Sequence, residues 1–206
     1  IDCRAHILDD LRSRVHQRYP EIAPEKILIN ATHTHTAATH VGGIGSISFT
    51  KGEAFNHDGV EIASSEEYRN FLVDQMFDAV CEAYENRDEG GISYGYGFAV
   101  VAFSRRVVYF DDLSQRPGAV KDSTHGVDGH VRMYGDTSDP NFSHYEAGAD
   151  PFVNILFTFD RDNQLTGAVI NIPCPSQNSE DEYLVSADYW HDIRAAIREK
   201  YGNIFI

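Results

Sequence analysis

The sequence predicts an α/β protein: a layered domain with a mixed sheet flanked by helices. Three observations carry that expectation. Apolar residues recur at helical spacing in three segments, runs rich in Ile, Val, Phe and Tyr lie between them, and the two kinds of segment alternate along the chain. With 206 residues, 42% of them hydrophobic, the chain is long enough to bury a core as one domain spanning residues 1–206.

The first helix is set by Cys3, Ile7, Leu8, Leu11 and Val15, with charged residues between them, and it ends near Tyr19 and Pro20. After Pro24, the Ile-rich run at residues 26–31 predicts a short buried strand. Residues 36–63 lack a period and read as loop. A second helix starts at Ser64, whose spacing to Glu67 is that of a capping box. Phe71, Leu72, Met76, Val80 and Tyr84 form its apolar face, and Gly90 and Gly91 end it. Residues 92–103 predict a strand, and residues 111–150 a long loop. Two apolar runs, 152–160 and 165–172, flank the polar turn 161–164 and predict a hairpin. Residues 186–200 predict a third helix. The chain opens at Ile1 without Met and ends in the apolar run 203–206, which suggests a truncated portion of a larger domain.

Composition narrows the function classes. The formal net charge is −15, from 32 acidic against 17 basic residues. Such a surface repels phosphate backbones, so nucleic acid is not an expected partner. No apolar run is long enough to predict a transmembrane segment. Cys3, Cys81 and Cys174 make an odd count, which does not close a disulfide framework. Cys3 and Cys81 fall on apolar helix faces and read as packing residues.

The sharpest local feature is the run Ala31, Thr32, His33, Thr34, His35 directly after the 26–31 segment. On a strand, His33 and His35 would share one face. Imidazoles at the C-terminal end of an α/β strand stand where such folds place ligands, and imidazole is a common zinc donor. Of the other histidines, His6 and His16 lie on the first helix, His40 and His57 flank the glycine-rich loop, and His125, His130 and His144 lie in the 111–150 loop.

Residues 26–36, with the lead-in at Pro24, resemble the strand and ATHTHSG motif of the neutral/alkaline non-lysosomal ceramidase family, with Thr36 in place of the usual Ser and Ala37 and Ala38 where the family has Gly-Pro. The resemblance implies a divergent, bacterial-type member, of which the chain would be part of the N-terminal domain. It assigns His33 as a zinc ligand and His35 as a residue assisting substrate chemistry. Phe103, Ser104, Arg105 and Arg106 resemble the segment that brings an active-site Arg, which maps to Arg105. A guanidinium there would hold a carbonyl or an anion. The stretch from Gly167 to Ser176 resembles the strand ending in the family's second zinc-ligating His. Here that position holds Cys174, Pro175 or Ser176. Cys174 is the one that ligates zinc well, as thiolate, and His191 is the other nearby candidate.

The resemblance implies a zinc-dependent hydrolase of an N-acyl amide bond, acting on a small-molecule or lipid amide in sphingolipid metabolism, secreted or periplasmic. Its remaining zinc ligands, a Glu and a Tyr, would follow Ile206. Zinc would acidify a bound water and polarise the carbonyl, with His35 and Arg105 as the catalytic residues. The alternative is a non-catalytic binding domain on the same scaffold that has lost part of the metal site. A third reading makes Cys174 a nucleophile.

Overall fold

The computed structural model of this chain describes residues 3–38, 40, 63–119, 127–180, 182 and 184–206. Most of the 36–63 stretch lies outside the described residues, as do His57 and His125. The chain divides into two compact units. One comprises Ile1–Gly90 and Pro175–Asn203, the other Gly91–Cys174 and Ile204–Ile206.

The first unit is helical. Helix α1 spans Ala5–Arg18 and buries Ile7, Leu11 and Val15, an i, i+4, i+8 stripe that gives the segment one apolar side. Helix α2 spans Ser65–Glu85. Its predicted capping box is present: the Ser64 hydroxyl accepts from the Glu67 N–H, and the Glu67 carboxylate accepts from the Ser64 N–H. Leu11, Val15, Tyr19 and Ile27 form a buried cluster against which Met76, Phe77, Val80 and Cys81 pack. Polar links reinforce the rim of this helix pair. Arg14 bonds both Asp10 and Asp74, Tyr19 donates to Glu85, and Tyr84 donates to Glu21 at 2.7 Å. The Glu85 hydrogen bond, aided by burial, pushes the Tyr19 hydroxyl pKa up to about 12.

Helix α3 spans Trp190–Tyr201 and starts four residues later than its apolar spacing predicts. Asp188 stops it, because its backbone is left-handed at φ 53, a conformation that no α-helix continues through.

The predicted strand at 26–31 does not form. The segment is a short 3-10 turn at Pro24–Lys26 followed by extended chain. A strand exists through its ladder partners. Here the Ile27 carbonyl is taken by the Arg12 guanidinium at 2.9 Å, and the Thr32 carbonyl accepts from the Ser176 N–H at 3.1 Å. Leu28 is 83% exposed, so the apolar run is not buried on both sides.

The second unit is built on β-strands, with a short 3-10 turn at Leu113–Gln115. Strands β1 (Gly91–Phe98), β6 (Phe152–Phe159) and β7 (Leu165–Asn171) form one antiparallel sheet in the order β1-β6-β7. The β6–β7 hairpin is the predicted one. The Asp160 carboxylate accepts from the N–H groups of Asp162 and Gln164 and holds its turn. Strand β1 stops short of its predicted end at residue 103. Its partner runs out at Pro151, whose carbonyl accepts the Ala99 N–H but which has no N–H to return. A parallel bridge from Gly167 to Phe205 sits beside the antiparallel ladders.

A second sheet has the order β3-β4-β2-β5, from Val127–Asp128, Val131–Met133, Arg106–Tyr109 and Phe142–Tyr145. Three of these strands lie in the stretch expected to be loop. Val107, Tyr109 and Leu113 make its small core. Arg116 ties Asp111 to Asp139, and that double pairing raises its pKa above the usual guanidinium value. Helices and sheets together place the protein in the α/β class.

Candidate binding cleft

The histidine motif is held by its neighbours in space rather than by a strand. Ser176, Gln177, Glu180 and Ser186 lie beside it within the first unit. The Ser176 N–H donates to the Thr32 carbonyl and the Ser186 N–H to the Thr36 carbonyl, at 3.1 and 2.9 Å. The hydroxyls of Thr34 and Thr36 lie 3.0 Å apart, and Thr36 shares a further hydrogen bond of 2.8 Å with the Ser186 hydroxyl. Thr36 is 2% exposed, so this hydroxyl chain satisfies a polar group that burial would otherwise penalise.

Asp188 ties the backbone at Ser179 to the start of the third helix. Its carboxylate accepts from the N–H groups of Ser179 and Tyr189 at 2.8 and 2.7 Å. Burial raises its pKa, but these N–H groups and that of Asn178 outweigh burial and hold it below the ordinary Asp value.

The two motif histidines differ. His35 is half-buried, and its Nδ1 lies 3.0 Å from the Glu180 carboxylate. Its Nε2 lies 2.8 Å from the Gln177 amide nitrogen. A carboxylate accepts only, so Nδ1 carries the proton, and Nε2 accepts from the amide. Both ring nitrogens are thereby committed inside the protein. His33 is exposed, has a left-handed backbone at φ 63, and its ring centroid lies 5.1 Å from that of His35. A side chain in that region costs about 1–2 kcal/mol.

His33 lines a cleft of about 270 Å³. One wall is the i, i+4, i+8 stripe of α2, Tyr68, Leu72 and Met76, and the other is the chain from Ile29 to Ala38. Leu72, Met76 and Ile29 make it apolar, whereas His33, Thr32 and Asn30 bring hydrogen-bonding groups. Its size is near the lower end of small-molecule sites.

These positions correct the expectation of zinc. Among the described residues, no three His, Cys, Asp or Glu side chains converge so that they could hold a metal ion. Catalytic zinc takes three protein ligands plus water. His35 has no lone pair left, because Gln177 occupies Nε2. Cys174, the expected thiolate ligand, donates its Sγ to the Val101 carbonyl at 3.4 Å. His191 is exposed in the first turn of α3. The residues present do not fit zinc, and the zinc-dependent amide hydrolase, with its metal-binding and lipid-hydrolase attributes, loses its reaction centre. Arg105, mapped to the active site, is exposed in the second unit and donates to the Tyr134 hydroxyl at 3.0 Å. Among the described residues, no helix is long and apolar enough to cross a membrane.

The residues that organise the motif, Gln177, Glu180, Ser186 and Asp188, are ones the sequence did not single out. Their one signal is a polar stretch following Pro175. Fold and site together define an α/β chain with a histidine-lined cleft and no metal centre among its described residues. Comparison with protein-family models, curated proteins and solved structures gave no match.

Proposed function

We propose that this chain is a non-catalytic binding domain whose ligand site is the His33 cleft. The observation that carries the reading is the engagement of both His35 ring nitrogens by Glu180 and Gln177. A histidine fixed in this way shapes a wall; it has no free nitrogen for proton transfer. His33 is then the motif residue that faces a ligand, and the strain at its backbone is the kind stored at recognition sites.

The lining selects the ligand class. Leu72, Met76 and Ile29 favour a short apolar group, and His33, Thr32 and Asn30 favour an uncharged hydrogen-bonding head. The net charge of −15 disfavours an anion. A small N-acyl amide meets these terms. The ATHTH run supports placing the domain on the ceramidase-like scaffold, as a member that holds amides without cleaving them, in a secreted or periplasmic setting.

The test is titration with N-ethylhexanamide, followed through the Met76 methyl and His33 ring resonances. Saturable shifts at both sites, unchanged by a chelator and abolished in Leu72→Trp, are expected. Shifts that require added zinc, or none at either residue, would overturn the reading.

A further inference from the structure

We infer that the β1-β6-β7 sheet of the second unit pairs face to face with the same sheet of a second copy of this chain. Alternation along β1 puts Ile92, Tyr94, Tyr96 and Phe98 on one side. The register places Leu156 opposite Tyr94 and Phe152 opposite Phe98, with Val169 opposite Leu156 on the next strand. This side is open: Ile92 is 76% exposed, Phe98 69% and Val169 65%.

Three features select a second copy as the occupant. The first is area. The exposed parts of Tyr94, Tyr96, Phe98 and Phe152, with the aliphatics between them, present on the order of 700 Å² of apolar surface, near the ~800 Å² per partner of a stable interface. Monomers rarely leave so large a contiguous patch bare.

The second is shape. The β1 aromatics form a ridge, linked ring to ring from Tyr94 to Tyr96 at 6.4 Å, Tyr96 to Phe98 at 5.8 Å and Phe98 to Phe152 at 4.8 Å. Beside it β6 and β7 present the smaller side chains of Asn154, Leu156, Thr158 and Val169. A twofold axis lays the ridge of each copy on this strip of the other, so one surface serves as both halves of the contact.

The third is charge. The chain carries a net −15, yet none of the residues β1, β6 and β7 contribute to this face is charged. Two copies meet there without placing like charges in contact, and the remaining acidic surface opposes association only at a distance.

The experiment is sedimentation of the whole chain across the micromolar range at low and high salt. A monomer–dimer equilibrium is expected that tightens as salt screens the acidic surfaces. Tyr96→Lys and, separately, Val169→Lys should weaken it at least about tenfold, with unchanged far-ultraviolet circular dichroism. Ser93→Lys, on the opposite side of β1, should leave it intact. Using both disruptive variants guards against one that fails to fold. A chain monomeric throughout, a dimer that survives both substitutions, or one that weakens with salt would overturn the pairing. None of these readouts depends on the His33 cleft.

Discussion

The Gln177 amide nitrogen lies 2.8 Å from His35 Nε2, on the side of the ring opposite the Glu180 carboxylate at Nδ1. That bracket assigns the proton to Nδ1 in the neutral ring. Nitrogen shifts of the His35 imidazole should therefore show the Nδ1–H tautomer, whereas free histidine favours Nε2–H. In Glu180→Ala the preference should be lost. An Nε2–H ring in the unaltered protein would contradict the assignment.

Asp188 supplies a pH dependence of known sign. Its folded pKa is depressed, so its contribution to stability is complete above the unfolded value of about 3.9 and is lost as pH falls through the lower folded value. Denaturation of the unaltered protein and of Asp188→Asn should therefore differ most at neutral pH. The difference should shrink as pH falls below about 4. A constant difference across that range would exclude the carboxylate charge as its origin.

Leu11 and Leu28 test which apolar residues build the helical core. Leu11 is 2% exposed beside Val15 and Tyr19, and Leu11→Ala should cost about 2–5 kcal/mol in chemical denaturation. Leu28 lies in the Ile-rich run that reads as a buried strand, yet it is 83% exposed. Leu28→Ala should change stability by less than about 0.5 kcal/mol. A large loss at Leu28 would restore the strand.

Ser176 is fully buried, and among the described residues its Oγ has no hydrogen-bond partner. An unsatisfied buried hydroxyl is destabilising. Ser176→Ala should hold stability or raise it by up to about 1 kcal/mol, in contrast to the usual loss at a buried position. A clear loss would reveal a partner for the hydroxyl.

What could be read from the sequence was what neighbouring residues decide. Ser64 and Glu67 announce the start of α2 because a cap is a contact between residues three apart. The β6–β7 hairpin shows itself through two apolar runs and a polar turn that closes on Asp160. The failure at residues 26–31 has the opposite cause: an Ile-rich run gives the propensity for a strand but not the ladder partner. Strand β2, at Arg106–Tyr109, and the short strands β3 to β5 are too brief to show a period. At the site, His33 and His35 stood out as residue types. Their different fates follow from Gln177 and Glu180, about 140 positions away in sequence, and no local pattern carries that proximity.

His33→Gly separates recognition from folding most directly, because glycine adopts the left-handed backbone at φ 63 without the side-chain strain. The decisive measurement is the affinity of this variant and of the unaltered protein for N-ethylhexanamide, each with zinc and with a chelator. The unaltered protein should bind the amide equally in both conditions, and His33→Gly should keep its folding stability but bind at least about tenfold more weakly. Stoichiometric zinc uptake accompanied by amide cleavage, both lost in His33→Gly, would contradict it.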